Sequence, residues 1–179
     1  IIVKKVDSST GDPLQGAWFR VRFLGGTSGT GGTVIAERQT SSNGTFILTG
    51  LKAGTYVVEE ISAPDGYVLS ENDIQTVYLS GNEQDVITVT FGNEAKGSVL
   101  IKKIDAITRE PLSDVEFMVT ESNGTVVGNR NGKYVTDSVG TILIDGLDPN
   151  TTLVIKEVRA KSGYVPVSYT HLRAHETSQ

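Results

Sequence analysis

The feature that most constrains this chain is that it says the same thing twice. Ile2-Val3-Lys4-Lys5-Val6-Asp7 returns as Leu100-Ile101-Lys102-Lys103-Ile104-Asp105. Pro13-Leu14 with Ala17-Trp18-Phe19 returns as Pro111-Leu112 with Val115-Glu116-Phe117. Gly50-Leu51 returns as Gly146-Leu147, Val58-Glu59-Glu60 as Ile155-Lys156-Glu157, and Gly66-Tyr67 as Gly163-Tyr164. The offset stays between 96 and 98 residues. Five blocks in order at a near-constant offset define a repeated unit of about a hundred residues, an ordinary domain size. The expected domains are 1–95 and 96–166.

Within each unit, short apolar runs rich in Val, Ile and Thr alternate with turn residues such as Ser42-Asn43-Gly44, Ala53-Gly54 and Gly81-Asn82. No run has a 3.6-residue apolar period. The pattern predicts an all-β fold of two tandem sandwiches. With 37% hydrophobic and 21% charged residues, each unit can fill a core. The net charge of −5 and the lack of a basic stripe argue against nucleic acid and anionic membrane as partners. Cysteine is absent, which removes thiolate metal sites, cysteine nucleophiles and disulfides together. Gly25 to Gly32 (GGTSGTGG) lacks the Lys-Ser/Thr ending and following helix of a phosphate cradle and reads as a loop. Trp18 is expected in the core. Asp7 and Asp105, near strand ends, are expected to hold turns.

Strand parity adds a chemical expectation, because alternate residues face one side. Ile1, Val3 and Lys5 share a face, as do Tyr56, Val58 and Glu60, and Ile87, Val89, Phe91 and Asn93. A lysine, a glutamate and an asparagine thus each end an apolar face. In the second unit Val99, Ile101 and Lys103 align again, and so do Leu153, Ile155 and Glu157. The outward neighbour changes sign between units, Glu59 to Lys156, while the inward carboxylate is kept. Parity therefore favours Glu60 over Glu59 and Lys5 over Lys4. Burial lowers a lysine pKa and raises a glutamate pKa, which favours a neutral amine, a nucleophile, beside a protonated carboxyl able to address the amide oxygen and relay a proton. One reading is that Lys5 attacks the Asn93 side-chain carbonyl with Glu60 as internal catalyst, forming an isopeptide bond once per domain. The other is an ordinary Lys5–Glu60 ion pair with Asn93 capping a turn.

At these residues the sequence resembles the collagen-adhesin B-type, or SpaA-like prealbumin-fold, repeat of Gram-positive pilins and surface adhesins. The resemblance is carried by Lys5-Val6-Asp7, Pro13 to Phe19, Gly44-Thr45-Phe46, Gly50 to Tyr56, and above all Tyr56 to Tyr67 (YVVEEISAPDGY), which is similar to the family's E-box. It implies reverse-Ig-like sandwiches and a Lys5–Asn93 isopeptide bond assisted by Glu60. In the second unit it carries over only to Lys103 and Glu157, whose asparagine partner is expected beyond Gln179. That unit departs from the pattern at Lys161 and at Asn150-Thr151-Thr152.

The resemblance implies a stalk or shaft module of a cell-wall-anchored surface protein or pilin, extracellular on a Gram-positive-type bacterium. Its expected partners are neighbouring domains of the same protein. The alternatives are an adhesive module binding host matrix proteins, with the Gly25 to Gly32 loop as the grip, or a spacer of a larger surface enzyme. No turnover enzyme, cofactor, metal or membrane contact is expected. Both histidines, His171 and His175, lie in Val167 to Thr177, which resembles translated sequencing-adapter text. Residues 167–179 are accordingly expected to be a non-native tail, leaving the second sandwich C-terminally incomplete.

Overall fold

Period-two alternation of apolar and polar residues produces strands throughout the computed structural model, which describes residues 1–25, 31–82, 85–128 and 130–166, and the backbone of 170–173. In order these are β1 (Ile2–Asp7), β2 (Trp18–Gly25), β3 (Thr33–Gln39), β4 (Thr45–Ile47), β5 (Gly54–Ser62), β6 (Tyr67–Val68), β7 (Ile74–Leu79), β8 (Thr88–Ala95), β9 (Gly97–Lys102), β10 (Glu116–Glu121), β11 (Lys133–Val135), β12 (Thr141–Leu147), β13 (Thr152–Arg159) and β14 (Thr170–Arg173). Among the described residues there is no helix. The chain divides into two units, Ile1–Ala95 and Lys96–Gln179. The expected tail lies outside the described residues except for the β14 backbone, and Gly26 to Thr30 of the glycine-rich loop also lie outside them.

In the first unit one sheet has the order β4-β1-β8-β6 and the other β3-β2-β5-β7. Their inner faces meet through Val3, Phe46, Val89 and Phe91 on one side and Phe19, Val21, Tyr56 and Val58 on the other. Phe19 is central, 4.9 Å from Phe91 and 5.6 Å from Phe46 between ring centroids. Aromatic rings tilted edge-to-face in this way contribute beyond their buried area. The first strand β1 and the last strand β8 are parallel neighbours, with Lys5 opposite Phe91 and Asp7 opposite Asn93.

The second unit repeats the plan. β9 pairs with β12 as β1 pairs with β4, and β10 pairs with β11 and β13 as β2 pairs with β3 and β5. The backbone of β14 lies on β13 as β7 lies on β5. Among the described residues β9 has one strand neighbour, β12, whereas β1 has two.

Trp18 corrects the expectation of a core tryptophan. Phe19 and Val21 take the inward positions of β2, so the same alternation turns Trp18 outward, where it is 43% exposed. Asn43, Asn123 and Asn150, each with a threonine two positions on, all lie in turns.

Candidate functional site

Lys5 reaches the interior because its main chain is gripped from both sides. Its N–H donates to the Gly44 carbonyl (2.7 Å) and its own carbonyl accepts from the Leu14 N–H (2.9 Å). Gly44 has φ +70°, and a Cβ there would lie 2.6 Å from the Lys5 carbonyl oxygen, so this close approach requires glycine. The second unit has the same grip: Lys103 N–H to Gly140 O (2.8 Å), Leu112 N–H to Lys103 O (3.0 Å), and Gly140 at φ +72°.

Glu60 is aimed inward next to a bulge. Trp18 pairs with Ser62 but Phe19 already pairs with Glu60, so Ile61 is an extra residue on β5. In the second unit Glu116 pairs with Arg159 and Phe117 with Glu157, leaving Val158 as the extra residue. A bulge of this kind re-aims side chains and raises local twist. Asn93 comes from β8, beside β1.

These three side chains meet between the two sheets. Lys5 is 0% exposed, and Glu60 and Asn93 are 1% exposed. The Asn93 Nδ2 donates to Glu60 Oε1 at 2.7 Å, and Lys5 Nζ lies 3.4 Å from Glu60 Oε2, within ion-pair reach but misaligned for a hydrogen bond. One carboxyl therefore spans the amine and the amide. The expectation that it would address the amide oxygen is not met: Asn93 Oδ1 has no hydrogen-bond partner among the described residues. Burial lowers the Lys5 pKa, with the Glu60 charge opposing, and burial raises the Glu60 pKa, with Lys5 opposing. Both shifts favour the uncharged forms, because a low-dielectric interior penalises charge more than this imperfect pair recovers.

Lys4 and Glu59, the residues parity set aside, lie elsewhere. Lys4 is exposed, and Glu59 pairs on the other face of β5 with Arg22 at 2.6 Å. In the second unit Lys103 Nζ donates to Glu157 Oε2 at 2.9 Å; the Lys103 side chain is 16% exposed and that of Glu157 1%.

Sequence reasoning expected Asp7 to hold a turn, as it does, but missed two supports of the site, the Thr40 bridge and the tie of Asp7 to Tyr67, although the residues of both recur at the repeat offset. Thr40 Oγ1 accepts from the Ala17 N–H (3.1 Å) and donates to the Leu14 carbonyl (2.8 Å). Thr136 makes the equivalent bonds with Val115 and Leu112. The second support is Asp7. It continues the inward face of β1 beyond Lys5, caps the following turn through Ser9 and Thr10 N–H, and accepts from the Tyr67 hydroxyl at 3.1 Å. The recurrence of Gly66-Tyr67 and of Asp7 was the available signal.

Fold and site together define a class: tandem β-sandwich domains, each with a lysine–glutamate pair set in its interior, the first with an asparagine joined to it. The chain belongs to the SpaA prealbumin-like fold domain family, whose model matches residues 1–95 and 97–172. It is similar to the trypsin-resistant surface T6 protein of Streptococcus pyogenes serotype M6, with 27% identity over 170 residues. That match covers 86% of this chain but 30% of the relative, so the chain spans under a third of that protein's length. Among solved structures, the shaft pilin SpaA from Lactobacillus rhamnosus GG matches with TM-score 0.56 and 19% identity, covering 97% of this chain and 92% of that one. A streptococcal ancillary pilin matches with TM-score 0.50 and 23% identity, covering 98% and 58%.

Proposed function

We propose that this chain is a structural stalk or shaft segment of a Gram-positive surface protein, and that its first domain closes on itself through a Lys5–Asn93 isopeptide bond. The observation that carries the reading is the Glu60 carboxyl, buried and in reach of both Lys5 Nζ and Asn93 Nδ2. The surface location and the pilin-like role of its relatives support the extracellular, cell-wall setting.

The chemistry balances without any outside reagent. The neutral Lys5 amine attacks Asn93 Cγ and a C–N bond forms. Glu60 takes one proton from the attacking nitrogen and delivers one to Nδ2. The Cγ–Nδ2 bond breaks, ammonia leaves, and Glu60 returns to its starting state. Holding the groups in a dry site supplies the high effective concentration an amine needs to attack an amide. The reaction occurs once per molecule, so the domain has no turnover. The product joins neighbouring parallel strands at opposite ends of the domain's sequence, and a pull on the chain then bypasses the rest of the sandwich.

Intact-mass spectrometry of the full chain tests this. Wild type should weigh one ammonia less than its sequence, with the deficit mapping to a crosslinked peptide pair holding Lys5 and Asn93. Lys5→Ala and Glu60→Ala should restore the full mass. A folded wild-type chain of full mass refutes the proposal.

A further inference from the structure

Tyr67 is tied to all three strands that supply the cluster, to β1 through its hydroxyl and to β8 and β5 through its backbone. Its backbone belongs to β6, which pairs with β8 at Tyr67–Ala95 and Val68–Glu94, directly beyond Asn93. Its hydroxyl donates to Asp7 Oδ2, two residues beyond Lys5. Its chain connection to Glu60 is short and folded tight: the Tyr67 N–H donates to the Pro64 carbonyl at 3.1 Å, with Gly66 at φ +81°. Asp7 itself is opposite Asn93 in the β1–β8 register, and the next N–H, that of Ser8, donates to the Asn93 carbonyl at 2.9 Å. In the second unit Asp105 caps its turn through Thr108 and Ile107 N–H, and these bonds together with the neighbouring Tyr164 hydroxyl hold its carboxyl pKa down at about 2.

We propose that Tyr67, through its hydrogen bond to Asp7, is a positioning residue that holds the Lys5 strand in reacting register with the strand of Asn93. This rests on the bond-forming reading above. Tyr67 touches none of the reacting atoms; it fixes the ends of the strands that carry them. Parallel strands can slip, and a slip of β1 against β8 would carry Lys5 away from the amide. Because β1 and β8 are far apart in sequence, no short turn sets their register. Misplacing reacting groups by about 1 Å costs up to roughly a hundredfold in rate.

The test follows ammonia loss in the full chain made by cell-free translation, quenched in acid at intervals and weighed intact. Tyr67→Phe removes the hydroxyl and keeps the ring; Asp7→Ala removes the acceptor. Both should slow the loss by about tenfold to a hundredfold at temperatures well below the melting midpoint of the unbonded form. That midpoint is measured separately for Tyr67→Phe in a Lys5→Met background. Asp7→Asn, which keeps one side-chain oxygen, should stay nearer to wild type than Asp7→Ala. It also carries the test if Tyr67→Phe folds poorly. Tyr164→Phe, the same change in the second unit, should leave the rate in residues 1–95 unmoved. A Tyr67→Phe chain that melts lower but reacts at the wild-type rate overturns the positioning role and leaves the bond itself standing. A wild-type chain that never loses ammonia removes the bond-forming reading, and the positioning role with it.

Discussion

Replacing Lys5 by Met isolates the contribution of the covalent bond. Met occupies a similar volume with no charge, and at pH 4.5 or below, where the calorimetry is run and buried Glu60 keeps its proton and its hydrogen bond from Asn93, the substitution removes the nucleophile with little damage to packing and leaves no unpaired buried charge. Lys5 and Asn93 stand 88 positions apart, 93 minus 5. Closing a loop of that size lowers the entropy of the unfolded chain by an amount that stabilises the fold by about 4–5 kcal/mol. For a domain of this length that corresponds to roughly 20–35 °C in melting midpoint. Differential scanning calorimetry of the full chain, with intact mass taken on the same samples, reads both consequences. The transition of the first unit should fall by that amount in Lys5→Met and not in Lys4→Met, whose side chain is exposed on the same strand. If wild type, Lys4→Met and Lys5→Met all show full mass and melt within a few degrees of one another, the crosslink does not exist and the reasoning fails.

Three further outcomes follow from the geometry. In Lys5→Met, Glu60 is left without its amine, and burial holds its folded pKa above the ordinary 4.5. The folded state then binds the proton more tightly than the unfolded one. Stability should be greatest below pH 4.5 and fall, by at most about 1.4 kcal/mol per pH unit, as pH rises through the raised folded pKa; urea titrations at several pH values check the sign. Gly44→Ala places a Cβ against the Lys5 carbonyl at positive φ and should destabilise the first unit by about 1–3 kcal/mol, read by the same calorimetry, with slowed ammonia loss if the grip on Lys5 is what aims it. Thr40→Val leaves the Ala17 N–H and the Leu14 carbonyl without their buried partner and should cost about 1–3 kcal/mol in chemical denaturation, as should Thr136→Val in the second unit.

Alternation along single strands was legible without coordinates. It placed Lys5, Glu60 and Asn93 on inward faces and set Lys4 and Glu59 outside, because which side a residue faces depends only on its immediate neighbours in an extended chain. The same rule, applied to Phe19 and Val21, would have turned Trp18 outward; the expectation of a core tryptophan did not apply it, and the pleat decided otherwise.

Parity says which face a residue takes but not what lies across from it. The parallel pairing of β1 with β8, the bulges at Ile61 and Val158, the contact of Glu60 with the amide nitrogen of Asn93, and the Tyr67–Asp7 tie all join segments tens of residues apart. The repeat and its inward-facing polar residues were thus fixed by local order in the chain. Their meeting was fixed only when two sheets closed on a shared core, because register between distant strands is set by packing and not by any property of either strand alone.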